Sequence, residues 1–175
     1  EVDCTSRPSL YTPISRARWG ADNITSLLSS EEWTDVANKP LMAAQAAVYS
    51  GFSYMMLGMS MCAAAIDGGA EVSNSGLLTA AEAKFTEAIA LASTAGSSDL
   101  GNAAKVGRAR ARLGLGNGSG AVADASEVPE GFAFNTVSTS TAVLRFRIGF
   151  NLRSSKRTSA NCLGELILNS VPAIW

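Results

Sequence analysis

The chain contains no histidine. It therefore lacks the commonest general base, the commonest metal ligand and the usual partner of a nucleophilic serine. Hydrolysis would need paired carboxylates, a lysine or a bound metal instead, and no spacing in the sequence assembles such a group. We therefore predict a protein that is not an enzyme, with no catalytic residues, no metal site and no cofactor.

Charge is also scarce in this sequence. Charged residues make up 17% of the 175 residues, hydrophobic residues make up 47%, and the formal net charge is −1. This balance allows a packed core of ordinary domain size. It supplies no overall field that would attract nucleic acid, so no nucleic-acid partner is expected.

A long stretch of the chain, from Leu41 to Ile66, has no charged side chain. A run of this length could cross a membrane, but Gln45, Ser50 and Ser60 interrupt it. Its many alanine and glycine residues would instead let neighbouring helices approach on several sides. We predict a central buried helix over residues 40–65, ended by the sequence Asp67-Gly68-Gly69.

Apolar spacing predicts four further helices. They cover residues 14–29, a segment that starts at Thr79 as N-cap, a segment that starts at Ser98 or Asp99, and residues 119–127. An extended lead-in around Pro8 and Pro13 precedes the first helix, and residues 70–78 are expected to form a polar loop. In the predicted helix that starts at Ser98 or Asp99, Arg108, Arg110 and Arg112 alternate by two and cannot all share one face. We therefore expect a solvated edge with local ion pairs.

The composition changes after Pro129. Four apolar side chains alternate with Arg145, Arg147 and Gly149, which is the period of a β-strand; they are Leu144, Phe146, Ile148 and Phe150. A lone strand leaves its edges unpaired. We expect it to pair with residues 163–169 or with a neighbouring molecule, which would make it a candidate assembly strand.

The cysteines and two glycosylation sequons bear on the compartment. In an exported protein two of Cys4, Cys62 and Cys162 would pair, and we favour Cys4 with Cys62 because Cys162 lies in a different compositional region. Three free thiols in a reducing compartment are the alternative. The chain begins at Glu1, so we expect a removed leader or a longer parent protein. Asn23 and Asn117 begin the sequons Asn-Ile-Thr and Asn-Gly-Ser.

Three segments, in this order, resemble the SusD/RagB family of outer-membrane nutrient-uptake proteins. The run from Ala46 to Asp67 is similar to the central helix of the family, and the runs Ala81–Ile89 and Ala103–Leu113 are similar to its paired TPR-type helices. The resemblance covers about residues 10–135. It implies a mainly α fold of TPR-like antiparallel helix pairs over residues 1–135, to which we add a minor C-terminal β element within residues 136–175.

The same resemblance implies an exported protein at the outer-membrane surface or outside the cell. Its partners would be a glycan or peptide nutrient and a TonB-dependent transporter. The candidate ligand-binding residues are Trp19 and Trp33, because an aromatic face packs well on the apolar side of a sugar ring; the alternative is that both anchor the packing of the protein. A second function stays open: TPR-like units stack, and identical subunits that exchange the terminal strand would form a filament.

Overall fold

The computed structural model describes residues 8–135 and the backbone of residues 147–148. This part of the chain is mainly helical, with a minor β component, as predicted. The helices are α1 (Pro8–Ser29), α2 (Lys39–Ser60), α3 (Asn74–Thr94), α4 (Ser98–Gly114) and α5 (Gly118–Ser126). The strands are β1 (Ala63–Ala65), β2 (Glu71–Ser73), β3 (Phe134–Asn135) and β4 (Arg147–Ile148), which form the antiparallel pairs β1–β2 and β3–β4.

The helices pack in chain order around α2. α1 packs on α2, α2 on α3, α3 on α4 and α4 on α5, and α2 also reaches α4. Among the described helices α2 and α4 each contact three others, and the buried residues spread along α2 agree with the prediction of a buried helix. Its small residues account for this, because Ala43, Ala44 and Ala47 on different sides are all buried.

Glycines on α2 and α4 hold the large side chains of α3. The ring of Phe85 on α3 is fully buried between Gly51 of α2 and Gly107 of α4. A Cβ atom at Gly51 would lie 2.7 Å from the Phe85 ring, so neither alanine nor any larger residue fits there without movement. The ring therefore fills the space that side chains at Gly51 and Gly107 would occupy.

The same arrangement recurs at a distance of seven residues on each of these three helices. Leu78 of α3 packs between Gly58 of α2 and Gly114 of α4, where an added Cβ would lie 2.9 Å and 2.8 Å from Leu78 atoms. The numbers rise along α2 and α4 while they fall along α3, so α3 runs antiparallel to both. A spacing of seven residues, close to two helical turns, keeps these contacts on one face.

The first helix begins earlier than the sequence indicated. α1 starts at Pro8 and includes Pro13, so the expectation of an extended lead-in is wrong from residue 8 onward. Proline suits the first helical position, and one proline so close to the start removes only one backbone hydrogen bond. Residues 30–38 then form turns and contain no helix.

The end of the central helix was predicted wrongly. α2 stops at Ser60, and Met61 is already extended. Residues 63–65 pair with residues 71–73, and Asp67-Gly68-Gly69 forms the connecting turn, in which the amide of Gly69 donates to the carbonyl of Ile66 over 2.8 Å. Asp67 and Gly68 have φ angles of 52° and 73°. An Asp-Gly pair with two positive φ angles is typical of a hairpin turn, not of a helix end.

The segment predicted as a polar loop also differs. It contains β2, and α3 begins at Asn74 with Ser73 as its N-cap, so Thr79 is not the cap. The Ser73 hydroxyl accepts a hydrogen bond from the amide of Gly76 over 3.2 Å. Ser97 and Asn117 cap α4 and α5 in the same way. No helix within residues 8–135 is long and apolar enough to cross a membrane.

Candidate functional site

Of the two tryptophans that the structure describes, the more exposed one lies on the first helix. Trp19 on α1 is 58% exposed. Burying an indole ring is strongly favourable, so a ring that stays in water on a well-packed helix is a candidate contact for a ligand or partner. The sequence predicted this position as a stacking platform, and the structure places it where a ligand could reach it.

Asp22 lies one helical turn from Trp19 and faces the junction of α1, α2 and α3. Residues three apart on a helix are neighbours on its surface, so the two positions lie close together on α1. It accepts hydrogen bonds from the Ser50 hydroxyl over 2.6 Å and from the Tyr54 hydroxyl over 3.3 Å, both on α2. It also pairs with the Lys84 ammonium of α3 over 3.3 Å. One carboxylate thus joins three helices.

Arg18 is the buried cation of this junction. It is only 2% exposed, and its guanidinium donates to Asp22 over 3.0 Å, to the Tyr54 hydroxyl over 3.4 Å and to Asp67 of the β1–β2 turn. It also lies 5.5 Å from the centre of the Tyr54 ring, within the range of a cation–π contact. Burial lowers the pKa of Arg18, but these hydrogen bonds and charges raise it more, so the group stays charged.

Lys84 connects Asp22 to a second carboxylate. Its ammonium lies 3.2 Å from Glu87 on the same helix. Burial lowers the pKa of Lys84, yet the charge of Asp22 and the hydrogen bond to Glu87 raise it further than burial lowers it. We call this group the Arg18 cluster; its members are Arg18, Asp22, Ser50, Tyr54, Asp67, Lys84 and Glu87.

The chemistry that the Arg18 cluster offers is hydrogen bonding and charge. The Ser50 side chain is fully buried and its hydroxyl donates a hydrogen bond to Asp22, so it is out of reach of a substrate. Lys84, Asp22 and Glu87 are partly exposed, and Asp22 lies one helical turn from Trp19 on α1. An aromatic face beside polar groups suits a polyhydroxylated ligand, whose ring hydrogens stack while its hydroxyl groups are bonded.

No family model, curated protein or solved structure matches this chain. The resemblance to SusD/RagB proteins therefore rests on the three segments described above, and function has to be argued from the geometry of the residues themselves.

Trp33 does not join this site. It lies in the turns between α1 and α2 and is 48% exposed. From Trp19 to Ser29, the last residue of α1, the helix axis already advances about 15 Å, at 1.5 Å per residue. Trp33 is instead near Leu41 and Met42 along the chain, which are also exposed. The two predicted platforms are separate surfaces.

The predicted disulfide and sequons are placed as follows. Cys62, which follows α2, is disulfide-bonded, whereas Cys4 lies outside the described residues, so the predicted pair stays a prediction. Asn23 is exposed on α1, but Thr25 of its sequon is buried and donates its hydroxyl to the backbone over 2.9 Å. Asn117 is exposed at the start of α5, where its side-chain oxygen caps the helix.

The predicted assembly strand is described only at residues 147–148. There the backbone of Ile148 pairs with that of Phe134, and Arg147 pairs with Asn135. Leu144, Phe146 and Phe150 lie outside the described residues, as do residues 163–169. The partner that the structure gives this strand is therefore β3 of the same chain, which the sequence did not indicate.

A second polar cluster was missed by the sequence reading. Asp124 of α5 is buried, and its carboxylate receives two hydrogen bonds from Arg108, over 2.7 Å and 3.0 Å, and one from Arg112 over 2.9 Å. Arg112 also donates to Glu82 of α3 over 2.7 Å, and this bond raises its pKa. We call these four residues the Asp124 cluster.

The expectation for the arginines of α4 is therefore corrected in part. Local ion pairs are present, but they converge on a buried carboxylate instead of a solvated edge, because Arg108 and Arg112 are four residues apart and share a face. Arg110 points elsewhere, and burial lowers its pKa. Within residues 8–135 no group of three or more acidic or cysteine residues could hold a metal ion.

Proposed function

We propose that this chain is a non-catalytic, exported binding protein that captures a glycan or peptide nutrient at the cell surface, as SusD/RagB proteins do. The observation that carries the proposal is Trp19, an exposed indole on α1 that lies one helical turn from Asp22, whose partly exposed carboxylate pairs with Lys84. The mechanism would be shallow capture and release to a TonB-dependent transporter, without the making or breaking of bonds.

Rigidity of the site supports this function. Asp22 is held by groups from α1, α2 and α3, so the polar groups beside Trp19 are fixed before a ligand arrives. Binding to a fixed surface loses less conformational entropy than binding to a mobile one. Trp19 itself lies on a helix, which gives a ligand a fixed stacking face.

Export is supported by Cys62. Disulfides persist in oxidising compartments outside the cytosol, and Cys62 is disulfide-bonded. The order of helices α2, α3 and α4, stacked antiparallel, is also in keeping with the three segments that resemble the SusD/RagB family.

Titration calorimetry with the full chain tests this function. The ligands are neutral linear hexasaccharides (maltohexaose, cellohexaose, xylohexaose and mannohexaose) and hexapeptides. We expect at least one to bind, and Trp19→Ala to weaken it about five- to tenfold, since a stacked aromatic contributes about 1 kcal/mol. Leu113→Ala, which removes an exposed apolar side chain of α4, is the matched control. Binding that Trp19→Ala leaves unchanged contradicts the proposed site.

A second function, self-assembly into a filament, is favoured by a different observation. The outer faces of the two terminal helices both carry exposed apolar side chains, Ile24 and Leu27 on α1 and Val122 on α5. A stack of helices with apolar faces at both ends can add another copy at either end. Sedimentation and electron microscopy of the full chain test this, and a monomer at every concentration excludes it. Loss of polymers in a variant without residues 136–175 would place the contact in that segment instead of on the helix faces.

A further inference from the structure

A depression of the surface lies far along the chain from Trp19. It has a volume of about 340 Å³ and is lined by Asp99, Phe132, Ala133, Phe134 and Asn135. We propose that it is a subsite for one neutral sugar ring of a longer oligosaccharide. This inference rests on the proposed glycan-binding function and adds a second contact to it.

The wall of the depression is built by a specific turn. The amide of Phe132 donates to the carbonyl of Pro129 over 3.2 Å, and Gly131 has a φ angle of 77°, which favours glycine. The chain then enters β3 at Phe134, two residues after Phe132. Both rings pack against the core formed by α2, α3 and α4.

Phe134 is fixed further by its neighbours. Its ring centre lies 6.5 Å from that of Tyr49 on α2, and its backbone pairs with Ile148 of β4. Asn135, the next residue, pairs with Arg147. The aromatic and amide groups of the depression are therefore held in place by the fold.

Asp99 supplies an exposed carboxylate at the edge of the depression. It lies in the first turn of α4, but Ser97 already caps this helix by accepting a hydrogen bond from the amide of Leu100. Among the described residues Asp99 makes no ion pair and no side-chain hydrogen bond. Its carboxylate is therefore available to accept hydrogen bonds from a ligand at the depression.

This set of groups fits a neutral sugar better than an anion. A phenylalanine face can pack on ring hydrogens, while a carboxylate and an amide can each bond two adjacent hydroxyl groups. Asp99 is the one charged residue among those that line the depression, so a uronate, a sulfated sugar or a phosphate would be repelled. The volume is at the lower end for ligand pockets, which suits a single ring.

The test uses the hexasaccharide that the full chain binds best among the four named above. We expect Asp99→Asn and Phe132→Ala each to weaken its binding at least fivefold. Asp35→Asn, the same change at an exposed aspartate between α1 and α2, is the control and should leave affinity unchanged. Asp99→Asn changes no buried contact, so it stays informative if Phe132→Ala unfolds. A hexamer of galacturonic acid should bind at least tenfold more weakly than the neutral sugar.

The outcomes separate the two proposals. Affinity that falls in Trp19→Ala but not in Asp99→Asn or Phe132→Ala overturns the subsite and leaves the proposed function standing. Failure of the unaltered protein to bind any of the four hexasaccharides overturns the subsite together with glycan capture. Equal binding of the galacturonate hexamer overturns the assignment to neutral sugars.

Discussion

The two polar clusters of the helical stack bury groups of opposite charge. In the Asp124 cluster the buried group is the carboxylate, which holds α5 on α4 through two arginines. In the Arg18 cluster the buried group is the cation, and its acidic partners are partly exposed, with Asp67 more than half exposed. The first cluster closes one end of the stack, whereas the second leaves charged groups within reach of solvent.

This difference separates a structural cluster from a candidate binding one. Asp124 has its hydrogen-bonding capacity met by arginines and offers nothing to a ligand. Asp22, Lys84 and Glu87 keep access to water, and Asp22 lies one helical turn from an exposed indole. The comparison suggests that removing Asp124 costs mainly stability, while changes near Trp19 cost mainly binding.

Asp124→Ala should produce the largest loss of stability. It would leave the largely buried Arg108 without a carboxylate and Arg112 with Glu82 alone, and breaking such a pair from one side costs about 3 kcal/mol. Urea denaturation measures the free energy of unfolding. Asp35→Ala in the exposed turns after α1 serves as control and should change it by less than about 0.5 kcal/mol. A loss of similar size in both variants would mean that the Asp124 cluster does not hold α5.

Gly51→Ala should have the next largest effect. The added methyl group would lie 2.7 Å from the buried Phe85 ring, and overpacking of this kind costs about 1–3 kcal/mol. Gly101→Ala on α4 is the matched control, because its added Cβ meets only Ala92 at 3.9 Å. There, alanine should stabilise the helix by about 0.5–1 kcal/mol. Thermal unfolding of both variants distinguishes the signs, and equal shifts would refute the tight contact.

Arg18→Met should cost less than Asp124→Ala, about 1–2 kcal/mol. Asp22 would keep its bonds from Ser50, Tyr54 and Lys84, and Asp67 would be solvated, so no carboxylate is left buried and bare. Methionine retains much of the buried volume. Urea denaturation of the two variants side by side checks the order, and a larger loss in Arg18→Met would reverse the comparison between the clusters.

Much of the fold could be predicted because its signals are local. The apolar period gives α2 to α5, and the alanine and glycine content of residues 41–58 indicates a helix with close neighbours. The end of α2 could not be found this way, since Ala63–Ala65 would suit a helix and forms a strand only because Glu71–Ser73 pairs with it. The Asp67-Gly68 hairpin signal was nevertheless present in the sequence.

The candidate site was predicted only in part. Trp19 stood out as an aromatic on the flank of an apolar stripe. Asp22 lies on the same helix as Trp19, but Lys84 lies on α3. The pairing of Asp22 with Lys84 depends on how α1 and α3 pack on α2, which no local pattern encodes. The same holds for Asp124, whose partners lie on α4. Acidic residues on otherwise apolar helices were the one available signal.

The smallest predicted effect concerns the pH dependence of the Arg18 cluster. Because the pKa of Lys84 is raised in the folded state, the folded protein holds this proton more tightly than the unfolded chain, whose lysine pKa is about 10.4. The stabilisation by Lys84 is therefore fully present below this value and is lost as the pH rises through the higher folded pKa. Lys84→Met should lower the free energy of unfolding by about 0.5 kcal/mol at pH 8, and its deficit relative to the unaltered protein should shrink as the pH is raised above 10.4.

Tyr54, Asp22 and Glu87 face this position in both proteins, and Lys105→Met, which breaks the exposed pair with Glu127, is the control. A deficit that stays constant up to pH 11.5 would show that Lys84 contributes through packing of its stem alone, and the polar groups beside Trp19 would then be less firmly held than the binding proposal requires.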